Sequence, residues 1–205
     1  MKTYLCMVCI CICSVVTAQV VVYDVTSASG DEATFSATTT GSGVTALDLT
    51  RGAGLTASSG VGSFNSKAFT TATSIDTADY LSFGIQSSTS PVSLGSVSLT
   101  LRRSGTGPDS FSLFSDKDNF VTSIGNLSLP DDAEHAFTVN VNNSTFANIS
   151  DVEFRLFGYN AGSSVGTGRV GALSLSAVPE PEEYAFFMSM CLVVWVVQRR
   201  YRKHS

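Results

Sequence analysis

The stretch that decides the fold is SVSLTLR at residues 96–102, where polar and apolar side chains alternate without a break. Successive side chains of a β-strand point to opposite faces of its sheet. Val97, Leu99 and Leu101 therefore share one face, and the polar side chains share the other. The pattern predicts a strand with one face in a core and the other at the surface.

The same alternation recurs on both sides of this stretch, and none of these runs has the 3.6-residue period of a helix. The further runs are 44–49, 80–85, 111–115, 137–141, 152–156 and 173–175, and 20–25 is an apolar run near the start of the domain. Clusters of Gly, Pro, Asn and Asp separate them. Eight to ten short strands predict an all-β domain, a two-sheet β-sandwich of the jelly-roll type. Residues 31–74 have the weakest pattern, which indicates long loops or a mobile flap.

The first 18 residues have the order of a secretory signal peptide. Lys2 supplies a positive charge, residues 4–16 form an apolar run, and small residues precede the expected cleavage between Ala18 and Gln19. We expect a signal helix that passes through the Sec translocon and is removed by signal peptidase. The alternative interpretation is a buried N-terminal strand or helix.

A proline motif follows the last predicted strand. Val178, Pro179, Glu180 and Pro181 stand in a row, and two prolines within three residues prevent helix through the motif. Residues 178–183 are therefore predicted to be an extended linker that an enzyme can reach.

An apolar span and a basic cluster complete the chain. Residues 184–198 carry no charge after the acidic linker, and Arg199 and Arg200 open the basic tail 199–205. At 1.5 Å per residue the apolar span is shorter than a hydrocarbon core of ~30 Å, and length alone favours a buried helix. The order of acidic proline motif, apolar span and arginines instead predicts a transmembrane helix with a cytoplasmic tail.

Residues 178–203 resemble the PEP-CTERM sorting signal of Gram-negative bacteria. The resemblance rests on the motif of residues 178–181, a Tyr-Ala pair, the apolar span and the terminal arginines. It implies an exported protein that is anchored transiently in the inner membrane and recognised by exosortase, a membrane cysteine protease that cuts near the motif. The product would reach the cell surface or the exopolysaccharide matrix of a biofilm.

Residues 19–177 form the predicted ectodomain. Three stretches, 64–83, 102–108 and 154–161, resemble a β domain that recurs in proteins with this tail and has no assigned activity. The ectodomain has seven Lys and Arg against fourteen Asp and Glu, which disfavours nucleic acid as a partner. It contains no cysteine, which excludes an internal disulfide, a thiol nucleophile and a cysteine-based metal site.

Aromatic residues are the best candidates for a sugar-binding site. The rings of Tyr80, Phe157 and Tyr159 are predicted to form a stacking platform, because the apolar faces of sugars pack on aromatic rings. The remaining phenylalanines are expected in the core: Phe64, Phe69, Phe111, Phe114, Phe120, Phe137 and Phe154.

Charged residues suggest two further candidate sites. Asp116 and Asp118 place oxygens at alternate positions, as a structural Ca²⁺ site requires, although a polar turn is the simpler interpretation. No other cofactor is expected. Arg102 and Arg103 must point to opposite faces of their strand. One of them is expected to cap the sandwich and to pair there with Asp79, Glu153 or Asp118. An anion or uronic-acid site at Arg102, Arg103 or Arg155 is the alternative.

Catalytic motifs are missing from the ectodomain sequence. His135 is its only histidine, and no nucleophile elbow, zinc-protease motif or phosphate loop occurs. The prediction is a protein that is not an enzyme, with a structural or adhesive role at the surface. A carbohydrate-binding module, assisted by Ca²⁺ or not, is the alternative, and a secreted hydrolase is the third hypothesis.

Overall fold

The structure is a computed structural model that describes residues 19–178. The signal segment up to Ala18, the sorting motif from Pro179, the apolar span and the basic tail lie outside the described residues, so the sequence-based predictions about them stay predictions. Within residues 19–178, no helix is long and apolar enough to cross a membrane.

The described residues contain strands and three short 3-10 turns. The turns are Val25–Ser27, Asp116–Asp118 and Ser144–Phe146. The strands are β1 (Gln19–Tyr23), β2 (Thr39–Thr40), β3 (Val44–Arg51), β4 (Thr56–Ala57), β5 (Phe64–Lys67), β6 (Tyr80–Ser88), β7 (Leu94–Arg103), β8 (Pro108–Ser115), β9 (Gly125–Ser128), β10 (His135–Asn140), β11 (Val152–Ala161) and β12 (Gly168–Ala177).

The strands form two antiparallel sheets, which confirms the all-β prediction. One sheet has the order β10-β7-β12-β1-β2, with β5 paired to the first part of β12 and β4 paired to β5. The other has the order β3-β6-β11-β8-β9. We call them the seven-stranded and the five-stranded sheet. Buried side chains from both sheets form one hydrophobic core, as a β-sandwich requires.

The alternating stretch 96–102 lies in β7, near the middle of the seven-stranded sheet. Val97, Leu99 and Leu101 are all buried in the core, as predicted. On the neighbouring strands, Val97 is opposite both Leu175 and Val139. Apolar residues in register thus cover the inner face of three adjacent strands, and this burial provides most of the driving force for folding.

A stack of three aromatic rings fills part of the core. Phe154 lies between Phe83 and Phe146, with ring centroids 5.6 Å and 5.7 Å away. Phe64, Phe69 and Phe111 are also buried in the core, as predicted for them and for Phe154, while Phe137 is partly buried against it.

Tyr23 connects the two sheets through the core. It lies on β1, and its hydroxyl donates to the Leu47 carbonyl at 2.5 Å and accepts the Gly84 N–H at 3.2 Å, both on the five-stranded sheet. Gly84 has a φ of 151°, and a Cβ there would stand 2.0 Å from the Val152 carbonyl oxygen. Burial raises the pKa of Tyr23 to about 12.

Arg51 fixes the segment that was predicted to be loops or a flap. Its guanidinium donates to the carbonyls of Gly30, Glu32 and Asn65 and to the Ser66 hydroxyl. The same guanidinium also lies 3.7 Å from the centre of the Phe64 ring. The segment 31–74 includes β2 to β5 between its loops, and Arg51 links residues 30–32 to residues 65–66.

Candidate functional site

The outer face of the five-stranded sheet carries a group of rings around one arginine. On adjacent strands, Arg155 is opposite Ser82 and Phe114, and Phe157 is opposite Tyr80 and Ser112. Residues in the intervening register positions point into the core, so these side chains share the outer face. We call this surface the aromatic face; its members are Tyr80, Phe114, Phe120, Arg155, Phe157 and Tyr159.

Arg155 is held between two aromatic rings. Its guanidinium carbon lies 4.5 Å from the centre of the Tyr80 ring and 3.9 Å from the centre of the Phe120 ring. Its Nε donates to Glu153 Oε1 at 2.7 Å. Cation–π contacts on both sides and a charge-assisted hydrogen bond fix the side chain in one orientation.

Phe157 and Phe114 lie beneath this stack. Phe157 is 5.5 Å from Tyr80 and 5.3 Å from Phe114, measured between ring centroids, and the two phenylalanines are only 5% and 9% exposed. The structure thus brings Tyr80 and Phe157 together as the sequence suggested. Because Phe157 is covered, its ring supports the face rather than offering a surface to a ligand.

Phe114 is buried as predicted, although it lies outside the main core cluster, whereas Phe120 is only partly buried on the outer face and its core assignment is wrong. Phe114 follows the core residue Leu113 on β8, so its side chain points to the outer face. The alternation in the sequence was sufficient to predict this orientation. Phe120 follows a turn in which Asn119 and Phe120 both have a φ of 60°. This backbone bend places the Phe120 ring over the sheet, against Arg155. No pattern in the sequence predicted the bend.

Polar groups border the aromatic face. Tyr159 is half-buried, and its hydroxyl lies 3.3 Å from the Ser112 hydroxyl, which also bonds Asn126 Oδ1 at 2.8 Å. On the other flank, the hydroxyls of Thr50 and Ser82 are 2.7 Å apart. The surface therefore combines fixed rings with hydroxyl and amide groups, a composition that suits a ligand with both apolar and hydroxylated parts.

The turn with Asp116 and Asp118 is held by its own hydrogen bonds. Asp118 accepts the N–H groups of Val121 at 3.2 Å and Thr122 at 2.9 Å. Burial raises the pKa of Asp118, but hydrogen bonds from Thr122 and Val121 outweigh it and hold the pKa below its usual value. Residues 19–178 contain no group of three or more His, Cys, Asp or Glu side chains that could hold a metal ion, so the structure offers no ligand set for the predicted Ca²⁺ site. The turn precedes Phe120 and helps to position its ring.

Arg102 and Arg103 do point to opposite faces. Arg103 caps one end of the sandwich by donating to the carbonyls of Pro130 and Asp131, whereas Arg102 donates to the Asp132 carbonyl. The prediction that Arg102 or Arg103 pairs with Asp79, Glu153 or Asp118 is wrong, because both arginines donate to backbone carbonyls instead. Asp79 instead accepts the Thr70 N–H at 2.7 Å, and burial raises its pKa.

His135 contacts an acidic residue. Its Nε2 lies 2.8 Å from Asp131 Oδ1, and this hydrogen bond lowers the pKa of Asp131. In the part of the chain that the structure describes, no serine or threonine hydroxyl hydrogen-bonds to His135, so the geometry assembles no Ser-His-Asp triad around it.

Comparisons with known proteins give structural neighbours only. No protein-family model matches the chain, and no curated protein matches it. A family 29 carbohydrate-binding module complexed with mannohexaose superposes with a TM-score of 0.46 at 12% identity, over 82% of this chain and 96% of that chain. A second family 29 module gives 0.45 at 13% identity over 82% and 92%. A family 36 module in complex with calcium and xylotriose gives 0.33 at 17% identity over 50% and 76%. With TM-scores below 0.5, these superpositions are too loose to transfer a binding site to this chain.

Proposed function

We propose that this chain is a non-catalytic surface protein that binds a polysaccharide on its aromatic face. The observation that carries the proposal is Arg155, held between Tyr80 and Phe120 on the outer side of the five-stranded sheet. The hydrophobic core does not use this stack, which lies at the surface with its rings half-exposed.

A fixed group of rings bordered by hydroxyl groups suits sugars. The apolar face of a pyranose packs on aromatic rings, and the hydroxyls at its edges bond to side-chain hydroxyl and amide groups. Because Glu153 and the two rings already hold Arg155 in place, binding costs little side-chain entropy. The Glu153–Arg155 pair also neutralises the arginine charge, which favours a neutral polysaccharide at this face.

Replacing Phe120 with alanine tests the proposal. We expect Phe120→Ala to weaken binding of a neutral polysaccharide by about tenfold, because one side of the Arg155 stack and one stacking surface are lost. Affinity electrophoresis of the ectodomain in gels containing mannan, xylan or β-glucan measures the change after a glycan array has identified the ligand.

Val121→Ala is the matched control, since Val121 is the next residue, is 76% exposed and lies outside the aromatic face. Binding that is equal in Val121→Ala and Phe120→Ala would contradict the proposal. If the intact ectodomain binds no neutral glycan, with or without EDTA, the structural or adhesive role replaces it. Loss of binding in EDTA alone would support the Ca²⁺-assisted alternative.

We further propose that exosortase sorts this protein to the cell surface or to the exopolysaccharide matrix. The support is the order of elements in residues 178–203: proline motif, apolar span and arginines. Residues 1–18 support export through the Sec translocon. Together they give the protein a route to the polysaccharides that its ectodomain is proposed to bind.

Mass spectrometry of the mature protein tests the sorting proposal. We expect a chain that starts at Gln19 and ends near Pro181, recovered from the cell surface or matrix fraction. Replacing Arg199 and Arg200 with glutamine should leave an uncut precursor in the inner membrane. Recovery of full-length protein with its C-terminal tail from the soluble cytosol would contradict the sorting proposal.

A further inference from the structure

A row of outward side chains runs across the five-stranded sheet from the aromatic face to the edge strand β9. Tyr80 on β6 is opposite Phe157 on β11. Ser112 on β8 is opposite both Phe157 and Asn126, the latter on β9. Leu127, the next residue on β9, is buried in the core, so Asn126 points outward, where it is exposed. The row therefore begins with rings and ends with an amide.

Two hydroxyl groups hold the Asn126 amide at its oxygen. Ser112 Oγ donates to Asn126 Oδ1 at 2.8 Å, and Ser123 Oγ lies 3.0 Å from the same atom. The Nδ2 group carries two N–H donors. It donates to no protein group within residues 19–178, so both donors are available to a ligand on the outer face.

Tyr159 sets the direction of these hydrogen bonds. A hydroxyl has a single proton, and that of Ser112 goes to Asn126 Oδ1, an atom that only accepts. In the Tyr159–Ser112 pair, with oxygens 3.3 Å apart, Tyr159 is therefore the donor. Hydrogen bonds in such a chain polarise one another. Tyr159 and Ser112 thus support one orientation of the Asn126 amide, with Nδ2 left for other partners.

Arg155 provides the other unused donors of this surface. Its Nε donates to Glu153, whereas Nη1 and Nη2 donate to no protein group in the described part of the chain. Arg155 and Asn126 are separated by β8. Tyr80 and Asn126 lie three strands apart, and strands about 4.8 Å apart place them about 14 Å from each other. A single sugar ring cannot span that distance, but a chain of several sugars can.

We infer, as an extension that rests on the proposed function, that Asn126 is a second contact for the polysaccharide and that the chain lies across the strands. One sugar packs at the stack of Tyr80, Arg155 and Phe120. A later sugar of the same chain accepts a hydrogen bond from Asn126 Nδ2 through a hydroxyl or ring oxygen. The ligand is therefore a linear neutral chain of several sugars, and a short fragment reaches only the aromatic end.

Calorimetric titration with oligosaccharides of two and six sugars from the mannan, xylan and cellulose series tests this inference on the ectodomain, which forms its own hydrophobic core. In the series that binds, we expect the hexasaccharide to bind about tenfold more tightly than the disaccharide, because the Asn126 contact is made by a chain already held at the stack. Asn126→Ala should weaken hexasaccharide binding about fivefold, as the loss of one neutral hydrogen bond predicts, and leave disaccharide binding unchanged.

Matched variants separate the Asn126 contact from the aromatic stack. Phe120→Ala should weaken binding of both lengths. Ser112→Ala keeps Asn126 but removes one hydroxyl that holds its amide, so it should weaken only the hexasaccharide, and by less than Asn126→Ala. Asn142→Ala changes an exposed asparagine that follows β10 of the other sheet and should alter neither.

Two results would overturn the inference while Phe120 dependence preserves the proposed function. One is equal hexasaccharide affinity in wild type and Asn126→Ala. The other is an Asn126→Ala variant that weakens the disaccharide as much as the hexasaccharide. If wild type binds no neutral oligosaccharide of either length, the proposed function fails and this inference fails with it.

Discussion

Arg51→Met is expected to lower the free energy of unfolding by about 3–5 kcal/mol. Its guanidinium donates to three backbone carbonyls and one hydroxyl; the carbonyls of Gly30 and Asn65 also accept the N–H groups of Asn65 and Ser58, so they keep one partner each when Arg51 is replaced. A hydrogen bond to a charged group contributes about 1.5–3 kcal/mol, less where it is partly exposed, so the loss of four of them accounts for the expected change, and methionine replaces only the apolar packing on Phe64. For a domain of this size, the loss corresponds to a fall in Tm of about 10 °C or more.

Urea denaturation followed by circular dichroism measures this change. Arg51→Lys should recover only a small part of the loss, because a lysine is a point charge that cannot bond four separated oxygens at once. Arg102→Met is the control, since Arg102 is exposed and makes one backbone hydrogen bond; it should change stability by no more than about 0.5 kcal/mol. A loss below about 1 kcal/mol for Arg51→Met would show that Arg51 does not hold this region together.

Tyr23→Phe is expected to cost about 1–3 kcal/mol at neutral pH, because the Gly84 N–H and the Leu47 carbonyl lose their partner inside the core. The same hydroxyl makes stability depend on alkaline pH. Burial raises the pKa of Tyr23 to about 12, against 10.0 for an unfolded tyrosine. Below pH 10 the hydroxyl is neutral in both states. Between pH 10 and 12 it ionises only in the unfolded chain, so stability falls by up to about 1.4 kcal/mol per pH unit.

Unfolding in urea at pH 8, 10 and 11.5 separates the two effects. The wild type should lose its Tyr23 contribution across this range, and Tyr23→Phe should be less stable at pH 8 and less sensitive to the rise in pH. Tyr159→Phe is the matched control, because Tyr159 is half-buried and its hydroxyl contacts only Ser112, at 3.3 Å. Parallel pH profiles for wild type and Tyr23→Phe would show that the Tyr23 hydroxyl ionises as readily in the folded state as in the unfolded state.

The alternation of polar and apolar side chains was sufficient to predict the long strands. Each of the eight runs found in the sequence lies in or overlaps a strand; seven of them span five or more residues, and the short run 173–175 lies within the long strand β12. The missed strands β2, β4, β5 and β9 have two to four residues, too few to show a period. The prediction of long loops within 31–74 is confirmed at residues 58–63 and 68–74, while the short strands β2, β4 and β5 between the loops were missed.

The aromatic face was predictable in part. Tyr80 and Phe157 were singled out by residue type, and the β6–β11 register places them opposite each other. Phe120 was not predictable, since it reaches Arg155 only through two residues with positive φ.

The position of β12 has a mechanical consequence if the C-terminal side of the domain is attached to a surface. β12 is hydrogen-bonded to β7 along one edge and to β5 and β1 along the other, and Val178 follows it directly. A pull on Val178 along the axis of β12 acts on the whole strand. The ladders on both edges are then loaded in shear, so many hydrogen bonds must break together, whereas a peripheral strand would peel away one bond at a time.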